Sequence, residues 1–97
     1  MTTLKTGGKT YEVSMVERID RAAFVEGETD FVEQTIRIHG GLKPDATREV
    51  LLHEALHCIF HNAGDDASNE DERLIRTLAS GLNQLLTDND WLLALFR

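Results

Sequence analysis

The rhythm of apolar and polar residues changes about forty residues into the chain. Before that point the period is two. Tyr11, Val13 and Met15 alternate with Thr10, Glu12 and Ser14, and Ile36 and Ile38 alternate with Thr35 and Arg37. Successive side chains of a strand point to opposite faces, so this is the pattern of half-buried strands. Ala23-Phe24-Val25 and the stretch from Phe31 to His39 flank Gly27-Glu28-Thr29-Asp30, whose composition is that of a turn. The expectation is a hairpin within a small antiparallel sheet of two to four strands, ended by Gly40-Gly41.

Beyond Gly41 the period becomes helical. A first helix is expected from about Pro44 to Asn62: Pro44 suits the first turn, where its missing N–H is not needed, Asp45 and Glu49 suit the positive N-terminal end, and Gly64 stops it. Ser68-Asn69-Glu70-Asp71 matches the S/T-x-x-D/E start signal of a second helix, with Asp71 at its third position. Leu74, Ile75, Leu78, Leu82, Leu85 and Leu86 then recur at helical spacing as a core face. The small Ala79, Ser80 and Gly81 would let another helix come close. Asp88-Asn89-Asp90 breaks the run, and Asp90 could cap a short last helix from Trp91 to Phe96. Strands followed by helices indicate an α+β fold, and 97 residues suit one domain spanning 1–97.

The formal charge of −7 and a pI of about 4.9 argue against nucleic acid or an anionic membrane as the main partner. They leave a peptide or protein substrate open, with a mild lean to basic ones. Cys58 is the one cysteine, so no internal disulfide is possible. No apolar signal segment follows Lys5 or Lys9, and Trp91–Phe96 is too short to span a membrane. Together these suggest a cytoplasmic, reducing compartment.

The candidate chemistry lies in the first helix. His53-Glu54-Ala55-Leu56-His57 reads H-E-x-x-H inside an apolar run, with Val50-Leu51-Leu52 before it and Ile59-Phe60 after. Residues four apart share a helix face about 6 Å apart along the axis, so two imidazoles can close on one zinc ion. Glu54, one step round from His53, can act as a base toward a water on the metal without binding the metal itself. The competing reading is a half-buried helix that carries two unrelated histidines.

A catalytic zinc needs a third protein ligand. His61 lies about 12 Å along the axis from His53, too far to share a metal, and suits a surface or helix-end role. Cys58 points about 100° round from His57 and suits a buried thiol. The acidic run Glu70-Asp71-Glu72 offers two ligands, since Asp71 is used in the helix start. Glu70 and Glu72 both border the core face, so geometry leaves the choice open; Glu72 is preferred because small Ala79 lies below it, where the metal-bearing helix must approach. The plainer account of the run is a set of acids favoured by the helix dipole.

The segment Val50 to His57, followed by Asn69-Glu70-Asp71-Glu72-Arg73-Leu74-Ile75 and Leu78-Ala79, resembles the very short gluzincin-type metallopeptidases of phages and prophages, and distantly the ImmA/IrrE group. The resemblance covers roughly residues 31–93. It implies a minimal zincin-like fold, with a small sheet, an active-site helix and a glutamate helix. It implies further that His53, His57 and Glu72 bind Zn2+ while Glu54 is general base and acid. The ImmA/IrrE pattern has Ala three residues after the ligand glutamate; here Ile75 stands there. Larger gluzincins stabilise the oxyanion with a Tyr or His on a separate subdomain, and Tyr11 and His39 are the only obvious stand-ins. The expected activity is zinc-dependent peptide hydrolysis, with the peptide held along a strand edge of the 31–39 hairpin. The alternatives are a non-catalytic zinc-binding interaction module, or a metal-free phage accessory protein whose acidic surface binds a basic host protein.

Overall fold

The computed structural model describes residues 2–19 and 25–97. Four strands, β1 (Thr2–Thr6), β2 (Lys9–Val16), β3 (Gly27–Asp30) and β4 (Thr35–His39), precede four helices, α1 (Pro44–Asn62), α2 (Asp66–Glu70), α3 (Glu72–Asp88) and α4 (Asp90–Ala94). The α+β class holds. The sheet is mixed, in the order β1-β2-β4-β3, because β2 pairs parallel with β4 while β1/β2 and β3/β4 are antiparallel. The expectation of an all-antiparallel sheet is therefore corrected. Two hairpins are laid side by side through their inner strands, and Ile36 and Ile38 of β4 come beside Val13 and Met15 of β2.

The second hairpin is displaced from its expected position. Gly27–Asp30 is a strand, and the turn is Phe31 to Gln34. One oxygen of Asp30 accepts from the backbone N–H groups of Val32 and Glu33, each at 3.0 Å, and Gln34 takes a left-handed φ of 56°. Asp30 thus makes the turn by side-chain capture of the backbone. The strand expected at Ala23-Phe24-Val25 falls partly outside the described residues. The first hairpin turns at Gly7-Gly8, with φ of 58° and 78°, a backbone that glycine adopts without steric cost and that matches the twist of its strands.

Helix α1 is central and buries two opposite sides. Its sheet-facing side covers Tyr11, Val13, Ile36 and Ile38 and contributes Cys58. Its other side packs Leu56 against Ile75 and Ala79 of α3, with Leu52, Phe60 and Leu82 around them. Ile36, Ile38 and Ile75 are fully buried, so truncating one to alanine should cost about 2–5 kcal/mol. Along the sheet-facing side, Glu54, Cys58 and Asn62 recur every four residues. Asn62 ties the helix end to the first hairpin: it accepts from the Tyr11 hydroxyl at 3.3 Å and donates to the Thr6 carbonyl at 3.0 Å.

The glutamate helix begins later than its sequence signal suggested. Ser68 and Asn69 lie in the short α2, whose N-cap is Asp65; its carboxylate accepts from Ser68 N–H. Asp71 is the N-cap of α3, accepting from Leu74 N–H at 3.0 Å, rather than the third residue of a helix begun by Ser68. Glu72 is consequently the first residue of α3. Ala79 is buried where α3 meets α1, whereas nothing lies within 4 Å of where a Gly81 side chain would start, so Ala79 serves close packing and Gly81 does not. The last helix starts at Asp90 and ends at Ala94, with Asn89 in the cap position, so Asp90 is not its cap. Among the described residues no helix is long and apolar enough to cross a membrane.

Candidate metal centre

Helices α1 and α3 run antiparallel, and polar contacts fix their register at both ends. At one end Asn83, nearly fully buried, donates to a carboxylate oxygen of Asp45 at 3.0 Å. At the other, Glu72 faces both histidines of α1. Its Oε2 lies 3.2 Å from His53 Nε2 and its Oε1 lies 3.0 Å from His57 Nε2. The two imidazoles stand edge to face, with ring centroids 5.0 Å apart. One ligand atom from each of His53, His57 and Glu72 falls within 4.8 Å of the others, close enough to bind a single metal ion. Glu70 is exposed at the end of α2 and is not in this group.

A neighbour that the sequence did not single out sharpens the chemistry. His57 Nδ1 lies 2.7 Å from Asn69 Oδ1. An amide oxygen only accepts, so Nδ1 carries the proton and a neutral His57 presents a lone pair at Nε2. Glu72 Oε1, 3.0 Å from that lone pair, is also an acceptor. Two acceptors this close repel unless a cation, proton or metal, sits between them. The His57 side chain is 15% exposed and His53 22%, while Glu72 is 55% exposed, so the carboxylate meets both rings from the solvent side. The donor set, two imidazole nitrogens and a carboxylate with a bond to the second nitrogen of His57, fits a divalent metal of borderline softness.

Glu54 lies off this group, turned toward the sheet. It is 6% exposed, and its Oε1 accepts from the Thr29 hydroxyl at 2.8 Å. The structure thus brings edge strand β3 against the H-E-x-x-H helix. Gly27 makes the approach possible: a Cβ there would lie 2.6 Å from Val50 Cγ1 and 3.4 Å from Glu54 Oε2. A cleft of about 540 Å³ opens beside these groups, lined by Val50, His53 and Glu54 of α1, Gly27 of β3 and Glu72 of α3. Thr29 and Gly27 were hidden in the sequence because their segment has the composition of a turn.

The remaining candidates lie elsewhere. Tyr11 is fully buried beneath α1 and bonded to Asn62, so it does not reach the cleft as an oxyanion donor; burial and the adjacent Cys58 raise its pKa. His39, at the end of β4, lies against Gly41 and outside the metal-ligand group. His61, in the last turn of α1, stacks on Phe31 with ring centroids 4.0 Å apart. Cys58 is fully buried on the sheet-facing side, and burial pushes its thiol up to about 11. The strand edge nearest the cleft is β3, because β4 is paired on both sides.

Comparison of the chain with protein-family models, with curated proteins and with solved structures gives no match.

Proposed function

We propose that the protein is a zinc-dependent metallopeptidase, with zinc on His53, His57 and Glu72 and Glu54 as general base. The observation that carries the reading is the convergence of His53 Nε2 and His57 Nε2 on the Glu72 carboxylate, at 3.2 and 3.0 Å, with Asn69 Oδ1 behind His57 Nδ1. Two imidazoles and a carboxylate are the ligand set of catalytic zinc sites that keep a position open. When bound, zinc would polarise the scissile carbonyl as a Lewis acid and lower the pKa of water to about 7.

The chain's own groups supply the rest. Glu54 Oε1 is occupied by the Thr29 hydroxyl, which leaves Oε2, on the Gly27 side, to take a proton from the attacking water. The same oxygen then returns the proton to the leaving amine. Thr29 holds the carboxylate in place, so little ordering remains at the moment of reaction. The outer edge of β3 offers unpaired backbone groups next to the cleft, and an extended peptide could add to it by main-chain hydrogen bonds.

Glu54→Gln is expected to keep the metal and lose cleavage of a peptide library read by mass spectrometry. Cleavage by the variant at the wild-type rate would remove Glu54 from its role. The second reading, a zinc-binding interaction module without catalysis, draws on the near-complete burial of Glu54. It predicts stoichiometric zinc with no cleavage by the wild type.

A further inference from the structure

In the proposed reaction zinc alone would meet the negative charge that develops on the scissile carbonyl oxygen, and neither Tyr11 nor His39 supplies a second group. Arg76 lies one turn beyond Glu72 on α3, about 6 Å along the axis on the same side of the helix, and lines the same cleft. Because α1 and α3 are antiparallel, that step moves toward the N-terminus of α1, and Arg76 shares the cleft with Glu49 and Val50. Glu54 and the β3 edge lie toward the sheet; Arg76 lies on the α3 side. A carbonyl approached by water from the Glu54 side would thus have a guanidinium available on the α3 wall.

The state of Arg76 is informative. The cleft is lined by carboxylates, Glu26 and Glu49 as well as Glu54 and Glu72, and among the described residues that line it Arg76 alone is an arginine or lysine. Yet Arg76 makes no hydrogen bond or ion pair among the described residues. Its N–H fork is free of described partners, and apart from His53 no other side chain among the described residues lining the cleft carries N–H donors. A planar guanidinium that is always charged can give two hydrogen bonds to one anionic group.

Resting on the peptidase reading, we propose that Arg76 is a catalytic residue that donates hydrogen bonds to the oxyanion forming on the substrate carbonyl. It takes the place that a Tyr or His on a separate subdomain holds in larger enzymes. The group recognised is a tetrahedral, anionic oxygen centre, and methylphosphonate is a small probe of that chemistry that does not depend on the peptide sequence.

The test is calorimetric titration of zinc-loaded wild type, Arg76→Gln and Arg76→Lys with methylphosphonate. Imidazole serves as a neutral control ligand, and zinc content is read in parallel. Expected are methylphosphonate binding to wild type, a loss on the order of ten- to a hundred-fold in Arg76→Gln, and an intermediate loss in Arg76→Lys, with zinc content and imidazole affinity unchanged. Wild-type-like methylphosphonate affinity in Arg76→Gln would overturn the assignment, as would a wild type that binds imidazole but not methylphosphonate. Loss of both ligands from zinc-retaining Arg76→Gln would make the residue structural and also overturn it. A wild type that holds no zinc would instead refute the peptidase reading beneath it.

Discussion

Removing the acceptor behind His57 should weaken metal binding even though Asn69 touches no metal. Asn69 Oδ1 lies 2.7 Å from His57 Nδ1, and that bond fixes the tautomer that leaves Nε2 free to ligate. Without it the ring can turn or place its proton on Nε2, and the Nδ1–H loses its partner. The His57 side chain is 15% exposed, so the substitution decides whether water can substitute. Asn69→Ala leaves space for water, and a loss of about ten-fold in metal affinity is expected; Asn69→Leu fills the space with carbon and should approach a hundred-fold. These factors correspond to about 1.4 and 2.7 kcal/mol. Asn69→Asp keeps an acceptor and adds charge, so its affinity should equal or exceed that of wild type. The assay is competition for zinc against a chromogenic chelator at neutral pH, with circular dichroism to confirm that each variant is folded. Zinc affinity of folded Asn69→Leu within two-fold of wild type would refute the reasoning.

Two further predictions concern the packing around the centre. Gly27→Ala places a Cβ 2.6 Å from Val50 Cγ1, and because valine is stiff the strand must move; a loss of about 1–3 kcal/mol in urea unfolding is expected. Adding Val50→Ala should return part of that loss, and a double variant no more stable than Gly27→Ala would show that the contact is not the cause. Cys58 is fully buried with its thiol pushed up to about 11, so a disulfide reagent at pH 8 should modify it only at the rate of unfolding. Labelling of the folded protein within seconds would contradict its placement.

The sequence anticipated the parts of the molecule that local chemistry dictates. Helix α1 begins at Pro44 and ends at Asn62, where the proline and the following glycine said it would. The preference for Glu72 over Glu70 came from the small Ala79, and Ala79 is indeed where α3 closes on α1. Strand partners were not readable in the same way. Period-two alternation shows which residues share a face, but nothing in it says that β2 lies parallel to β4.

Gly27–Asp30 shows how composition misleads. Gly, Thr and Asp are turn residues, yet Gly27 is needed for close approach to Val50, Thr29 bonds Glu54, and Asp30 makes the turn that follows. The start of the glutamate helix was misread because two caps lie close together. Asp65 and Asp71 each open a helix as its N-cap, and the Ser68 signal between them is silent. Asn69 fills an unspecified position of the start signal, and Arg76 carries no motif at all. Their roles arise only when α2 and α3 fold back onto α1.

The central claim is one zinc per chain on His53, His57 and Glu72, and metal content measured by mass spectrometry tests it most directly. The proteins to compare are wild type, His57→Ala, Glu70→Gln and Glu72→Gln, each purified without added metal. The account predicts one zinc per wild-type chain, retained in Glu70→Gln and lost in both His57→Ala and Glu72→Gln. Zinc lost from Glu70→Gln but kept by Glu72→Gln, or a folded wild type without metal, would contradict it.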